Sequence, residues 1–225
     1  MTPPVYLSCI GLGLLCSLVY FYLRKPQREE KRAHEYIFFL IFYVLAFELY
    51  AFYLVQNGQK NVLVYNIFFV CGETLLILIY LKSLVDLETV KKRIDQFMLF
   101  FTVWAIVNSI FFQKPTDLFQ QYTHLLGSFG IVVVSCYLLY RVFLEEGFWD
   151  QPLLRVPHFW NVAAILLFYC PNFIYFGALN ILWDIDKWYL TILASMNRVF
   201  AALLYLIFGL SFYSSYIFST DRYGR

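Results

Sequence analysis

Seven stretches of this chain run apolar for roughly the length of a membrane crossing: 4–23, 36–55, 62–81, 97–113, 122–143, 159–182 and 188–214. A hydrocarbon core about 30 Å thick is crossed by roughly 20 mostly apolar residues in a helix, so each stretch predicts one transmembrane helix. The fourth is the shortest, confined between Asp95 and Lys114, and the last is long enough to tilt or to protrude. Membrane β-strands would alternate between lipid-facing and lumen-facing residues. The run from Tyr36 to Tyr50 is instead apolar on every face but one, which selects helices. With 61% hydrophobic and 14% charged residues, the chain departs far from the composition of a soluble globule, in which about 25% are charged. The expected fold is all-α: a polytopic membrane helical bundle of seven spans, forming a single transmembrane domain over 1–225. The connecting loops are too short to hold a catalytic domain of their own.

Orientation follows from where lysine and arginine fall, because basic loops stay on the cytoplasmic side. Thirteen of the 17 cluster on one side: Arg24, Lys25, Arg28, Lys31 and Arg32 after the first span, Lys82, Lys91, Lys92 and Arg93 after the third, Arg141 and Arg155 around the fifth link, and Arg222 and Arg225 in the tail. Lys60, Lys114 and Lys187 fall on the other side, and Arg198 lies inside the last span. This predicts N-terminus out and C-terminus in, which an odd number of crossings requires. Trp149 and Trp160 fall at the predicted inner boundary and Trp183 and Trp188 at the outer one, where an amphipathic indole settles. Residues 1–23 have no basic leader and no Ala-x-Ala site, so they read as a retained span followed by a stop-transfer cluster. The segment Asp86 to Asp95 reads as a charged extension of the third helix, and the loop Leu144 to His158 as one that lies in the interface. A net charge of +2 points to no nucleic-acid partner.

A charged side chain in mid-span costs about 2.5–3.5 kcal/mol on insertion scales and normally faces the protein interior with a partner. Glu48, Glu73 and Arg198 are such residues. At ~1.5 Å per residue, Glu48 lies roughly 18 Å from the inner boundary, and Glu73 and Arg198 roughly 17 and 15 Å from the outer one. All three fall in one slab, which predicts an ion pair between Arg198 and one of the carboxylates. Asn66 precedes Glu73 by seven residues, two α-helical turns, so both are expected on one face. Asn172 follows Pro171, which frees the carbonyl of Leu167, and Asn197 adjoins Arg198. Glu48, Asn66, Glu73, Asn172, Asn197 and Arg198 therefore form the candidate intramembrane polar network. Such a network can glue helices together, hold a ligand or transported solute, or do chemistry.

Several chemistries are disfavoured by what the spans contain. A retinal Schiff base needs a lysine where the last helix carries Arg198. His34, His124 and His158 lie in three separate segments, so no zinc site is expected. Gly127-Ser128-Phe129-Gly130 has the wrong spacing for a nucleophile elbow and reads as small-residue helix packing. The five cysteines all lie in spans, show no Cys-x-x-Cys and read as packing residues. No cofactor, metal or catalytic residue is expected.

Matching dipeptides in spans two and six (Phe42-Tyr43, Phe168-Tyr169) and Asn-x-x-Phe in spans three and seven suggest a 3+1+3 parallel repeat of the sugar-transporter (SWEET) plan, although that family's Pro-Gln signature is missing. Tyr65-Asn66-Ile67-Phe68 followed by Glu73, Phe159-Trp160 leading to Leu167-Phe168-Tyr169 and Asn172, and Asn197 before an aromatic helix resemble a group of uncharacterised bacterial seven-helix membrane proteins. The resemblance covers most of spans three to seven. It implies a multi-pass protein of the bacterial inner membrane, near signalling proteins such as histidine kinases, and supplies no reaction. The expected function is a sensor or signal-relay bundle that binds a small or lipophilic ligand in its outer half, with membrane lipid and a cytoplasmic or membrane protein as partners. A small-solute or proton-coupled transporter is the alternative, and a membrane-embedded enzyme acting on lipid is third.

Overall fold

The computed structural model describes residues 1–23, 28–144, 153–182 and 187–218, and these are all helix, turn or coil. Helix α1 is Pro3–Leu23, α2 Arg28–Gln56 and α3 Val62–Ser83; α4 is Glu88–Phe111, α5 Gln121–Leu144, α6 Pro157–Leu182 and α7 Lys187–Leu210. A 3-10 turn at Ser211–Tyr213 and a last helical turn, Ser214–Ile217, follow α7. Seven helical stretches are long and apolar enough to cross a membrane, and each overlaps a stretch read from the sequence, although the fourth starts at Glu88, before Asp95, rather than at 97. Trp149, Trp183, Arg24, Lys25, Arg222, Arg225 and most of the loop 144–158 lie outside the described residues, as does the side chain of Trp188.

Six helices close a ring in the order α1, α2, α3, α5, α6, α7, with α7 returning to α1, while α4 lies outside against α3 and α5. Helix α4 shows why lipid replaces water around the bundle. Ile94, Phe101, Ala105 and Asn108 are buried against the neighbours, yet Leu99, Val103, Ile106 and Ile110 on the opposite face are all more than half exposed. A helix apolar on both sides is stable only where its outer face meets hydrocarbon.

The α1–α7 crossing sets the tightest contact. A β-carbon added to Gly209 would overlap the backbone of Gly13, and one added to Gly13 would overlap the carbonyl of Tyr205. The two backbones therefore touch directly, as small residues allow in membrane helices. Gly127 and Gly130 of α5 instead make room for side chains, those of Thr74 of α3 and Phe97 of α4, in agreement with the packing role read for that segment.

Helix ends are sharply made. Gly58, at φ 69°, closes α2 in a Schellman turn: its N–H donates to Val55 O at 3.0 Å and Gln59 N–H donates to Leu54 O at 2.9 Å. The charged segment expected to extend the third helix does something else. The chain breaks at 84–87, and α4 starts at Glu88, so Lys91, Lys92, Arg93 and Asp95 belong to the fourth helix. Lys82 at the end of α3 then reaches Asp95 across the turn, at 2.5 Å. Leu84 is the C-cap of the third helix, and Leu87, in extended backbone, is the N-cap of the fourth.

Helix α3 is not α-helical throughout: Tyr65–Glu73 form a π-helix. Tyr43 of α2 fits the notch left by Gly72, and its hydroxyl donates to the carbonyl of Phe68 at 3.1 Å. The positions matched in the supposed repeat have different surroundings. Phe42 is exposed where Phe168 is buried, and Asn66 lies in a π-helix where Asn197 lies in an α-helix.

Candidate functional site

Glu48 and Glu73 are each held by tyrosines from other helices. Tyr6 of α1 donates its hydroxyl to Glu48 Oε1 at 3.2 Å, and Tyr65 of α3 donates to Oε2 at 2.9 Å. Tyr205 of α7 donates to Glu73 Oε1 at 2.8 Å, joined by Tyr169 of α6 at 3.4 Å. Glu73 is fully buried and its Oε2 has no hydrogen-bond partner. One carboxyl thus ties α2 to α1 and α3, and the other ties α3 to α6 and α7.

The ion pair expected for Arg198 is not formed: neither carboxylate comes within 4.0 Å of the guanidinium. Arg198 is exposed and donates Nη1 to the carbonyl of Met1 at 3.4 Å. Tyrosine hydroxyls hydrogen-bond both oxygens of Glu48 and one oxygen of Glu73 without bringing in a second desolvated charge, which is how the two acids are held without the arginine. Replacing Arg198 and Glu73 with leucine, singly and together, should give additive losses of stability, with a coupling below about 0.5 kcal/mol. Thermal unfolding of the four proteins in detergent checks this, and a larger coupling would restore the pair.

The expected polar slab divides into three places. Glu48, Asn197 and Arg198 line one cavity of about 490 Å³ at the end of the bundle that carries the start of α1. Its walls come from α1, α2, α3, α6 and α7, with Phe119 contributed by the α4–α5 loop. Tyr205 and Phe168 line it as well, and Glu73 hydrogen-bonds to Tyr205 from behind that wall. Asn66 faces elsewhere. Its amide donates to Pro115 O at 2.8 Å and Leu118 O at 2.7 Å, and its oxygen accepts from Gln120 N at 2.9 Å. The π-helix explains the parting of Asn66 from Glu73: an i→i+5 ladder takes about 4.4 residues per turn, so seven residues make about 1.6 turns rather than two.

Asn172 is buried near His124 with neither amide atom in a hydrogen bond. His124 is packed by Phe69, Phe119 and Phe176, whose ring centroids lie 5.1, 5.7 and 4.6 Å away, and these three rings also line the cavity. Ser128 Oγ lies 3.4 Å from His124 Nε2, but both residues are buried outside the cavity lining, so the pair has no substrate space. Asn108 donates to Thr123 Oγ1 at 2.9 Å, Gln120 to Ser109, and Gln121 to the carbonyl of Phe176, which holds the α4–α5 loop over this end.

At the opposite end, Ser17 Oγ and His34 Nε2 share a hydrogen bond at 3.0 Å, and Tyr80 Oη lies 3.2 Å from His158 Nδ1. Asn161 donates to the same tyrosine at 2.9 Å. Phe212, just beyond α7, meets both imidazoles edge-on, with centroids at 4.6 and 6.3 Å. Trp160, near the start of α6, stacks on Phe218 and donates to Leu154 O at 2.9 Å.

The sequence reading did not assign Tyr6, Tyr65, Tyr169 or Tyr205 to the polar network, although Tyr65 and Tyr169 stand in the stretches that carry the resemblance. In a chain with 19 tyrosines and 25 phenylalanines, nothing local separates a hydroxyl that meets a carboxylate from one that fills space. No group of three or more His, Cys, Asp or Glu side chains able to hold a metal occurs among the described residues. No protein family, curated protein or solved structure matches the chain.

Proposed function

We propose that this integral membrane protein is a sensor: a bundle that holds a small ligand in the cavity at its N-terminal end and passes the occupied state along α7 to its basic end. The observation that carries this reading is the cavity itself, with a volume in the range of small-molecule sites and aromatic walls that carry a few convergent polar groups. Beyond Tyr205 and Phe168 the bundle is filled by a packed core that includes Ile37, Ile41, Ile77, Ile165 and Phe208. Helix α7 lines the cavity through Arg198 and Tyr205, and Phe212 just beyond its end contacts His34 of α2 and His158 of α6. A displacement at the cavity therefore has a rigid element along which to reach the other end.

In this reading the cavity faces outward, the basic loops face the cytoplasm, and the membrane is the bacterial inner membrane, as the charge distribution and the resemblance together suggest. The partner is a cytoplasmic or membrane protein that docks at the basic end, and lipid surrounds the bundle. A transporter using the same cavity is the second reading, favoured by the π-helix in α3 and Pro171 in α6, since interrupted helices recur where transporters bind solutes.

A fluorophore on a cysteine at Asp86, exposed between α3 and α4, provides the test. Fractions of a small-metabolite extract that raise the melting temperature should also shift its emission, and Ala194→Trp, which fills the cavity, should abolish both effects. Accumulation of the stabilising fraction in proteoliposomes would replace the sensor with the transporter.

A further inference from the structure

Resting on the reading of the cavity as a ligand site, we propose that its ligand is a zwitterion: an ammonium held at Glu48 and an anionic oxygen group held at Arg198, joined by a short apolar body. The reason lies in two opposite charges that share a space, near enough to attract each other yet without forming a contact ion pair. Glu48 comes from α2 and Arg198 from α7, both line the same cavity, and their charged atoms stay more than 4.0 Å apart. Each keeps capacity for a further partner. Arg198 makes one long bond to a backbone carbonyl, although a guanidinium carries five N–H donors in a fork suited to carboxylate or phosphate. Glu48 accepts one tyrosine hydroxyl on each oxygen, although a carboxylate offers about four lone-pair sites. The two tyrosines fix the carboxylate without neutralising it.

The walls between the charges fit the rest of such a molecule. Tyr65, Phe69 and Tyr6 line the cavity along with Glu48, and aromatic faces attract an ammonium as the carboxylate does. Phe119, Phe168 and Phe176 supply apolar surface for the body. A ligand with one charge would meet one attractive and one repulsive wall, and a neutral ligand would leave the free donors of Arg198 and the remaining lone pairs of Glu48 unused. Only a molecule with both charges answers both walls. A free amino-acid-like zwitterion and the headgroup of phosphatidylethanolamine share this chemistry.

The test uses four probes with one phenethyl body: L-phenylalanine, 2-phenylethylamine, 3-phenylpropionate and 2-phenylethanol. They are titrated against the whole protein in phosphatidylglycerol nanodiscs. In parallel, native mass spectrometry follows retention of phosphatidylethanolamine from mixed-lipid nanodiscs. L-Phenylalanine should bind at least tenfold more tightly than the other three, or phosphatidylethanolamine should be retained selectively; the first result assigns a free ligand and the second a lipid. Arg198→Gln should weaken the bound zwitterion and 3-phenylpropionate about tenfold or more while sparing 2-phenylethylamine. Glu48→Gln, which keeps an acceptor for a tyrosine, should do the reverse to the two singly charged probes. Arg198→Lys should restore part of the loss, and all three variants should melt within a few degrees of the parent. Equal binding of the four probes, or a zwitterion indifferent to both glutamine variants, overturns the proposal. If 2-phenylethanol binds, is blocked by Ala194→Trp and outcompetes both zwitterions, the cavity remains a ligand site and only the zwitterion falls. If no probe binds and no lipid is retained, both fall.

Discussion

Gly209→Ala is expected to destabilise the bundle by about 3 kcal/mol or more, at the upper end of what overpacking costs. The single added carbon would fall on the backbone of Gly13, which has no side-chain rotamer to yield. The two helices must then separate or slide, and α1 leans on α7 more than on any other helix. Gly13→Ala should act alike, because its new carbon meets the Tyr205 carbonyl. Gly11→Ala is the control on the same helix. No atom lies within 4 Å of an added carbon there, so it should be neutral or stabilise by up to about 1 kcal/mol through helix propensity. Thermal unfolding in detergent reads all three. Equal behaviour of Gly11→Ala and Gly209→Ala would mean that α1 and α7 do not cross at these residues. The effect should reach the cavity, since α1 and α7 form adjoining walls of it and Tyr6 hangs from α1 onto Glu48.

Glu73→Leu should cost roughly 2–6 kcal/mol, because it strands the hydroxyls of Tyr205 and Tyr169 in a fully buried place at about 1–3 kcal/mol each. Glu73→Gln keeps an acceptor for both and should lose far less. Tyr205→Phe removes the shorter of the two hydrogen bonds to the carboxyl and should fall between them. This ordering distinguishes a hydrogen-bonded hub from an ion pair: were Glu73 held by Arg198, glutamine would be nearly as damaging as leucine. Because Tyr205 lines the cavity, Tyr205→Phe and Glu73→Leu should also change ligand affinity, although Glu73 does not line it. Unfolding midpoints and the titrations described above measure the two effects on the same samples.

The spans were legible because hydropathy adds up locally. Whether residues 122–143 cross a membrane depends on those residues alone, and the helix Gln121–Leu144 lies over them. The placement of Glu48 and Arg198 in one cavity was half legible: counting residues from each boundary put them at one depth, and depth is a property of single helices. Which groups they would touch was not legible, since that depends on the rotation of each helix about its axis. Asn66 and Glu73 show how far a rotation argument can miss. Seven residues return to one face only in an α-helix, and the π-helix between them turns one toward the α4–α5 loop and the other toward α6 and α7. The break at 84–87 was missed for a similar reason: charge and helix propensity run on through Asp86 to Asp95, and the turn there belongs to the packing of α4 against α3 and α5, with Lys82 reaching Asp95 across it.

By itself the sequence determined that the chain is a seven-span helical bundle and that acids and a base lie within it, because the free energy of placing each residue in hydrocarbon is paid segment by segment. The tertiary structure alone decided that tyrosines, not Arg198, hold Glu48 and Glu73, and that α1 and α7 meet at bare backbone. Hydrogen bonds and close packing depend on positions to within a fraction of an ångström, which are set only when all the helices are in place.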